Sequence, residues 1–281
     1  MPPCRLLTRP VRASAVALSF GMLVLSAPPV SAVPLLGSAQ SFSVLGASAV
    51  TNTGFTTLVG DLGLYPGTAI TGLATVTLSG TVHQTDAVAQ QAQADALTAY
   101  NVLAGLPFTS NLSGQDLGTL GILAPGVYHF DTSAQLTGTL RLDFANNPGA
   151  IFVFQIGTAL TSASDAVVEV LNGDGIDGVF WQVGSSATVG TNTAFAGNIL
   201  ADQSITFNTT ATLTCGRALA LNAAVTMDSN SLSNRCDRAG GGSVAEPATL
   251  ALVALVLIGL LALRRRAPSD RTTHLRPSSS L

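Results

Sequence analysis

Three histidines, His83, His129 and His274, and 15 acidic residues are the side chains of this 281-residue chain best able to move a proton or hold a metal. The histidines follow no H-E-x-x-H spacing, so the ligand pattern of a zinc-dependent hydrolase is missing. Serine offers no nucleophile elbow, because Gly184-Ser185-Ser186-Ala187 lacks the second glycine of that sharp turn. Arg141 and Asp143 are the one acid and base of the kind that polysaccharide-cleaving solenoids cluster, and two apart on a strand face they read as an ion pair. His129 reads as a partly exposed strand residue. The segment Asn172-Gly173-Asp174-Gly175-Ile176-Asp177-Gly178-Val179 approaches a calcium-binding nonapeptide. One copy supplies only half the oxygens such a site needs, so it reads as a turn. No catalytic residue, metal or cofactor is assigned.

What the chain repeats is hydroxyl. Ser186-Ala187-Thr188-Val189, Ser204-Ile205-Thr206-Phe207 and Ala224-Val225-Thr226-Met227 align, with their threonines 18 and then 20 residues apart. Hairpin connections run to a few residues, so this spacing belongs to one turn of a wound β-structure. Side chains alternate along a strand. With Ala187, Val189, Ile205, Phe207, Val225 and Met227 inward, Thr188, Thr206 and Thr226 face outward as a ladder with rungs ~4.8 Å apart. Thr191 and Thr193, followed by Thr210 and Thr212, form a candidate second row beside it.

The elements that must hold this ladder are legible on both sides. Early in the chain, short alternating runs around Phe42, Val44, Thr57 and Val59 are cut by Gly46, Gly54, Gly60, Gly63, Pro66-Gly67 and Gly72, which marks strands and tight turns. Residues 84–104 then contain neither Gly nor Pro. Val88, Ala92, Ala96, Ala99 and Leu103 recur there at helical steps, with Thr85 or Asp86 as cap and Gly105 and Pro107 as stop. An alanine face lets this helix lie close along one side of the coil. Strand patterns resume at Gly126 and run to Leu232. The stretch 151–156 is apolar except for Gln155 and must be covered on both faces, with the helix as the cover.

Both ends carry addresses. Arg5, Arg9 and Arg12 precede an apolar run, and Val30-Ser31-Ala32 supplies a cleavage site, so residues 1–32 read as a signal peptide. Removing it leaves Cys215 and Cys236, an even pair in an exported chain that reads as a disulfide, two buried thiols being the alternative. The domain spans residues 33–238, followed by a Gly-rich linker and sorting motif at 239–247. Residues 248–263 are uncharged and mostly apolar, a transmembrane helix at the short limit of length. Residues 264–281 form a basic tail, cytoplasmic by the rule that places arginines inside. Between residues 33 and 245, four arginines stand against thirteen acids, a surplus of nine negative charges that excludes a nucleic-acid partner.

Several motifs in order carry a resemblance: Asn52-Thr53-Gly54, Gly60-Asp61-Leu62-Gly63, Pro66-Gly67-Thr68, the alanine-rich helix, and Pro125-Gly126-Val127-Tyr128. They continue with Gln135-Leu136-Thr137-Gly138-Thr139-Leu140, Phe152-Val153-Phe154-Gln155-Ile156-Gly157, Val179-Phe180-Trp181-Gln182-Val183-Gly184-Ser185-Ser186-Ala187-Thr188 and Gly216-Arg217-Ala218-Leu219-Ala220. Over residues 36–232 the chain resembles the microbial ice-binding (antifreeze) family. The resemblance implies a mainly β fold: a right-handed β-helix (solenoid) of triangular cross-section with one long α-helix packed alongside. It also implies that members that bind ice do so on a flat solenoid face, without catalysis or cofactor. Thr188, Thr206, Thr226, Thr191, Thr193, Thr210 and Thr212 are the expected contact residues. A carbohydrate-binding or adhesive surface, with an envelope polysaccharide as partner, is the alternative use of the same solenoid. Glu246-Pro247, the apolar segment and Arg264-Arg265-Arg266 resemble a PEP-CTERM sorting tail, with Ala245 where a first proline is usual. That resemblance implies an exosortase-like processing enzyme as partner and a protein either anchored at the cell envelope or secreted after C-terminal processing.

Overall fold

The computed structural model describes residues 35–147, 149–173 and 178–236. Its frame is a coil with three sides, each a parallel sheet, of nine, seven and eight strands. Each complete turn of the chain contributes one strand to each sheet, and Val82–Gln84, Ser110–Asn111 and Ile122–Leu123 add two strands to the nine-stranded sheet and one to the eight-stranded sheet. Gly126–Phe130, Ala134–Leu136 and Thr139–Asp143 make one turn, and Phe152–Ile156, Leu160–Ser162 and Val167–Leu171 make the next. Three further turns follow, ending in Ala218–Ala220, Val225–Asp228 and Ser231–Ser233. Registers run straight between turns, as in Tyr128 beside Phe154 beside Trp181.

The stacking order departs from the chain order at one place. The first turn, Phe42–Gly46, Ala49–Thr53 and Thr56–Val59, lies on the last one, with Val44 beside Ala218, Val50 beside Val225 and Thr57 beside Ser231. The second turn, Asp61–Leu64, Ala69–Thr71 and Val76–Leu78, stacks on the outer side of the first. The early strands and the late strands are therefore one continuous stack.

Alternation separates two cores. Inward residues of all three sheets fill the coil, and within it the rings of Phe154 and Trp181 stack with centroids 4.1 Å apart. Such a pair contributes about 1 kcal/mol beyond the area it buries. The outward residues Leu45, Val153, Phe180, Leu200 and Leu219 of the nine-stranded sheet form a second core under helix α1, Ala87–Ala104. Ala92, Ala96, Ala99 and Leu103 of α1 are fully buried there. Ala89 takes the position expected for Val88, which is 46% exposed. The helix also begins at Ala87 rather than at residue 84, because Gln84 closes the strand Val82–Gln84.

The ends of α1 are fastened by the polar groups its backbone requires. The Asp86 side chain accepts from the Ala89 amide at 2.8 Å, so Asp86 is the cap and Thr85 is not. Gln155, the lone polar residue of its strand, donates to the carbonyls of Leu103 and Leu106, each at 2.8 Å. Midway along, Asp95 accepts from the amide and hydroxyl of Ser38 at 2.7 and 2.6 Å, which ties the 3₁₀ turn Gly37–Ser41 to the helix. Gly37 has φ +50, and a Cβ there would stand 2.5 Å from the Asp95 carboxylate.

Cys215 and Cys236 are bonded as a disulfide, Cα atoms 4.3 Å apart, joining the exit from the last turn to the turn beneath it. Arg141 pairs with Glu169 on the next turn at 2.9 Å rather than with Asp143, which accepts from the Ala145 amide and Asn172. The register explains the change: Arg141 and Glu169 are direct neighbours across strands. Among the described residues no helix is long and apolar enough to cross a membrane, and no group of three or more metal-ligating side chains assembles. The expected signal peptide at 1–32, the linker and sorting motif at 239–247, the apolar segment at 248–263 and the tail at 264–281 lie outside the described residues.

Candidate functional site

The threonine ladder runs along the seven-stranded sheet. Thr188 is in register with Thr206, and Thr206 with Thr226. The row then continues past both ends of what the repeat suggested. Thr161 lies beside Thr188, Thr51 beside Thr226, and Thr71 beside Thr51. Six adjacent strands thus present threonine at the same position, with Gln135 as the next rung. At ~4.8 Å per strand the six threonines span ~24 Å.

Each of the three late rungs, Thr188, Thr206 and Thr226, stands between two inward residues. Ala187 and Val189, Ile205 and Phe207, and Val225 and Met227 are all buried at 1% exposure or less. The β-branched threonine between them is stiff at χ1, so the row holds its shape. Among the described residues, none of these six hydroxyls hydrogen-bonds to another protein group; five of the strands carrying them are paired on both sides, and Ala69–Thr71 is the edge strand. Their bonding capacity is left to water. On one side of the row stand Ser186 and Ser204, their hydroxyls 3.0 Å apart, continued by Ala49 beside Ala69.

Charge is kept off the row. Asp228 sits at the corner beyond Thr226, and its carboxylate accepts from the hydroxyls of Thr209 and Ser229. Asp202 sits at the opposite corner and accepts from Gln203 at 2.6 Å and Asn222 at 2.9 Å. Both carboxylates are satisfied locally, so the six-threonine row itself offers hydroxyls and methyls.

The expected second row does not form as one line. Thr193 is fully buried and donates to the Ala163 carbonyl at 2.9 Å. Thr191 lies in the turn before it. Thr210 occupies a left-handed turn position, φ +62, and its hydroxyl is bonded to Asn192 and to the Thr209 carbonyl. Thr212 belongs to the eight-stranded sheet, beside Ala194 and Ser231. The chain turns a corner between residues 189 and 194, and a turn breaks the alternation on which that row was read.

His129 is partly exposed as expected, stacked on Phe108 with centroids 4.9 Å apart and 3.2 Å from the Asp131 carboxylate. Thr161, Thr51 and Thr71 were not anticipated, although Leu160-Thr161, Val50-Thr51 and Ile70-Thr71 repeat the apolar-threonine step of the known rungs.

Comparison with known proteins gives a consistent picture. The family model described as ice-binding-like matches residues 44–233, and the PEP-CTERM protein-sorting motif matches residues 243–266. An ice-binding protein of Nostoc sp. (strain HG1) is 52% identical over 206 residues, covering 73% of this chain and 76% of its own length. The crystal structure of an ice-binding protein from an Antarctic biological consortium is 45% identical, with a TM-score of 0.68, over 70% of this chain and 89% of that one. The ice-binding protein of the Antarctic ascomycete Antarctomyces psychrotrophicus is 36% identical, again with a TM-score of 0.68, over 71% of this chain and 97% of its own.

Proposed function

The chain belongs to the ice-binding-like family, and from that premise we propose that it binds ice through the six-threonine row of the seven-stranded sheet. One observation supports this site above the rest: six hydroxyls in register, none of them engaged by the protein among the described residues. Each rung gives water one hydroxyl and one methyl at a fixed interval. The hydroxyls hold ordered water and the methyls leave it no competing partner. Carboxylates in the row would impose their own hydration, and the two nearest are already occupied at the corners.

No bond is made or broken in this action, and its strength comes from number. A single hydrogen bond to water gains little over bulk solvent, about 1 kcal/mol or less. A rigid row that meets a lattice at many points together gains much more, because the array is already ordered.

The sorting motif at residues 243–266 supports a protein exported and processed at the cell envelope. In this reading the signal peptide leaves after Ala32 and residues 248–263 hold the chain in the membrane until an exosortase-like enzyme acts. Arg264, Arg265 and Arg266 stay on the cytoplasmic side. Glu246 and Pro247 mark the processing site. The test of ice binding is direct: fluorescently labelled protein is added to a single growing ice crystal. Bound label on defined planes and faceted growth support the proposal, and an unlabelled, rounded crystal refutes it.

A further inference from the structure

A groove of 330 Å³ lies at the corner between the helix-covered sheet and the threonine sheet, walled by Tyr65, Pro66, Leu97, Leu221, Gln93 and Asn222. Tyr65-Pro66 link the strands Asp61–Leu64 and Ala69–Thr71, and Leu221-Asn222 link Ala218–Ala220 to Val225–Asp228. Helix α1 supplies the remaining wall. The threonine row takes no part in it.

Two amides in this groove are held by their nitrogens. Gln93 donates from Nε2 to the carbonyls of Gly46 and Ala220 at 3.0 and 3.2 Å. Asn222 donates from Nδ2 to the Asp202 carbonyl at 3.0 Å and to its carboxylate at 2.9 Å. With the nitrogens committed, Gln93 Oε1 and Asn222 Oδ1 remain, and among the described residues neither accepts a hydrogen bond, nor does the Tyr65 hydroxyl make one. The groove therefore offers fixed acceptors and a phenol between apolar walls, and none of its lining residues carries a formal charge.

We propose that this groove binds one ring of a neutral sugar, with sugar hydroxyls donating to Gln93 Oε1 and Asn222 Oδ1 and the C–H face lying on Leu97, Leu221 and Tyr65. The chemistry selects this occupant. An apolar ligand leaves both amide carbonyls desolvated and unpaired, which carries a penalty. An anion finds no positive charge in the lining, only the neutral donors of Tyr65 and Gln90 beside two fixed acceptors. A cation finds no carboxylate in the lining, since that of Asp202 is already engaged by Gln203 and Asn222. A polyol ring has both donors and an apolar face, and the volume suits one ring rather than a chain. Attached to a polysaccharide, that ring tethers the protein to an extracellular matrix while the threonine sheet stays free.

The experiment uses the purified full chain with glucose, galactose and their neutral oligomers as probes in calorimetric titration. The expected dissociation constant for one ring is on the order of 1 mM, insensitive to salt. Leu97→Glu, at a half-exposed helix position, places a charge in the groove, and Ala94→Trp, at a neighbouring α1 residue that also lines the groove, fills it. Each is expected to weaken binding roughly tenfold or more while circular dichroism and ice shaping stay unchanged. Absence of binding to every neutral sugar overturns the inference, as does undiminished binding in both folded variants or binding confined to charged sugars. Loss of ice shaping in either folded variant also overturns it, by joining the groove to the ice face. Failure of the wild type to shape ice counts against the threonine row alone.

Discussion

Thr51 and Thr226 are direct neighbours across two parallel strands, although one belongs to the first turn of the coil and the other to the last. This pair joins the row Thr161, Thr188, Thr206 and Thr226 to Thr51 and Thr71, and so makes a single face from two distant parts of the chain. Thr51→Tyr should therefore reduce ice recrystallisation inhibition as severely as a change within the late repeat. Full activity in a folded Thr51→Tyr protein would confine the site to the late turns.

The disulfide acts on the same stack from outside the face. Cys215 and Cys236 close a loop with a sequence separation of 21, for which chain entropy gives about 3 kcal/mol. For a fold of this size each kcal/mol moves the melting temperature by about 2–4 °C. The Cys215→Ser/Cys236→Ser protein should melt roughly 6–12 °C lower in calorimetry, with ice shaping retained at 0 °C, where the margin suffices. An unchanged melting temperature would show that the last turn is held by its strands alone.

Acid should loosen the helix. The Asp95 carboxyl is held below the usual carboxylate range, chiefly by the Ser38 hydroxyl and also by the Ser38 amide and Gln91. A depressed folded value means the contact stabilises fully above the unfolded value of ~3.9 and is lost as pH falls through the folded one. Asp86 is shifted the same way, first by the Ala89 amide and then by His83. Stability should thus be level from pH 7 to about 5 and fall below about 4. Asp95→Asn should cost about 1 kcal/mol at pH 7, a modest figure because the contact is partly solvated. The gap between the two proteins should close in acid, and a gap independent of pH in urea titrations would remove the carboxylate from the account.

Local pattern accounts for what was readable. Thr188, Thr206 and Thr226 stand at near-constant intervals in strands that do not bend, so spacing alone aligned them. Thr51 and Thr71 carry the same step, but nothing local states that the first turn stacks on the last. Val88 and Ala89 were exchanged because one residue is ~100° on a helix, and an alanine-rich segment gives little contrast between faces. Arg141 was matched to a partner on its own strand, whereas its real neighbour, Glu169, is set by interstrand register. Thr193 looked like Thr188 by type and ended buried, since a corner intervened.

Topology gives the fourth prediction. A reporter fused after Leu281 should be cytoplasmic before processing, while residues 33–238 are open to added protease outside the inner membrane. Three consecutive arginines, at 264–266, resist translocation. Mass spectrometry of the exported protein should find Val33 first. A reporter outside in intact cells, with the coil outside too, would remove the membrane anchor from the proposal.

The flatness of the face can be tested at its middle rung. Thr206 has threonine on both sides in register, Thr188 and Thr226, and is only partly exposed between Ile205 and Phe207. Tyrosine at this position projects several ångströms further and holds a lattice away from the neighbouring rungs too. At about 0.5–1 kcal/mol per rung, losing Thr206 together with Thr188 and Thr226 costs about 1.5–3 kcal/mol, so the concentration for recrystallisation inhibition should rise about tenfold or more. The fold should survive, because a substitution at an outward strand position stays within ~0.5 kcal/mol. Thr57→Tyr is the matched control: Thr57 is an exposed strand threonine beside Ser231 and Thr77, on the eight-stranded sheet. It should leave ice shaping intact. Equal loss in both proteins would mean that bulk anywhere on the coil interferes, and loss only in Thr57→Tyr would move the ice-binding face to the eight-stranded sheet.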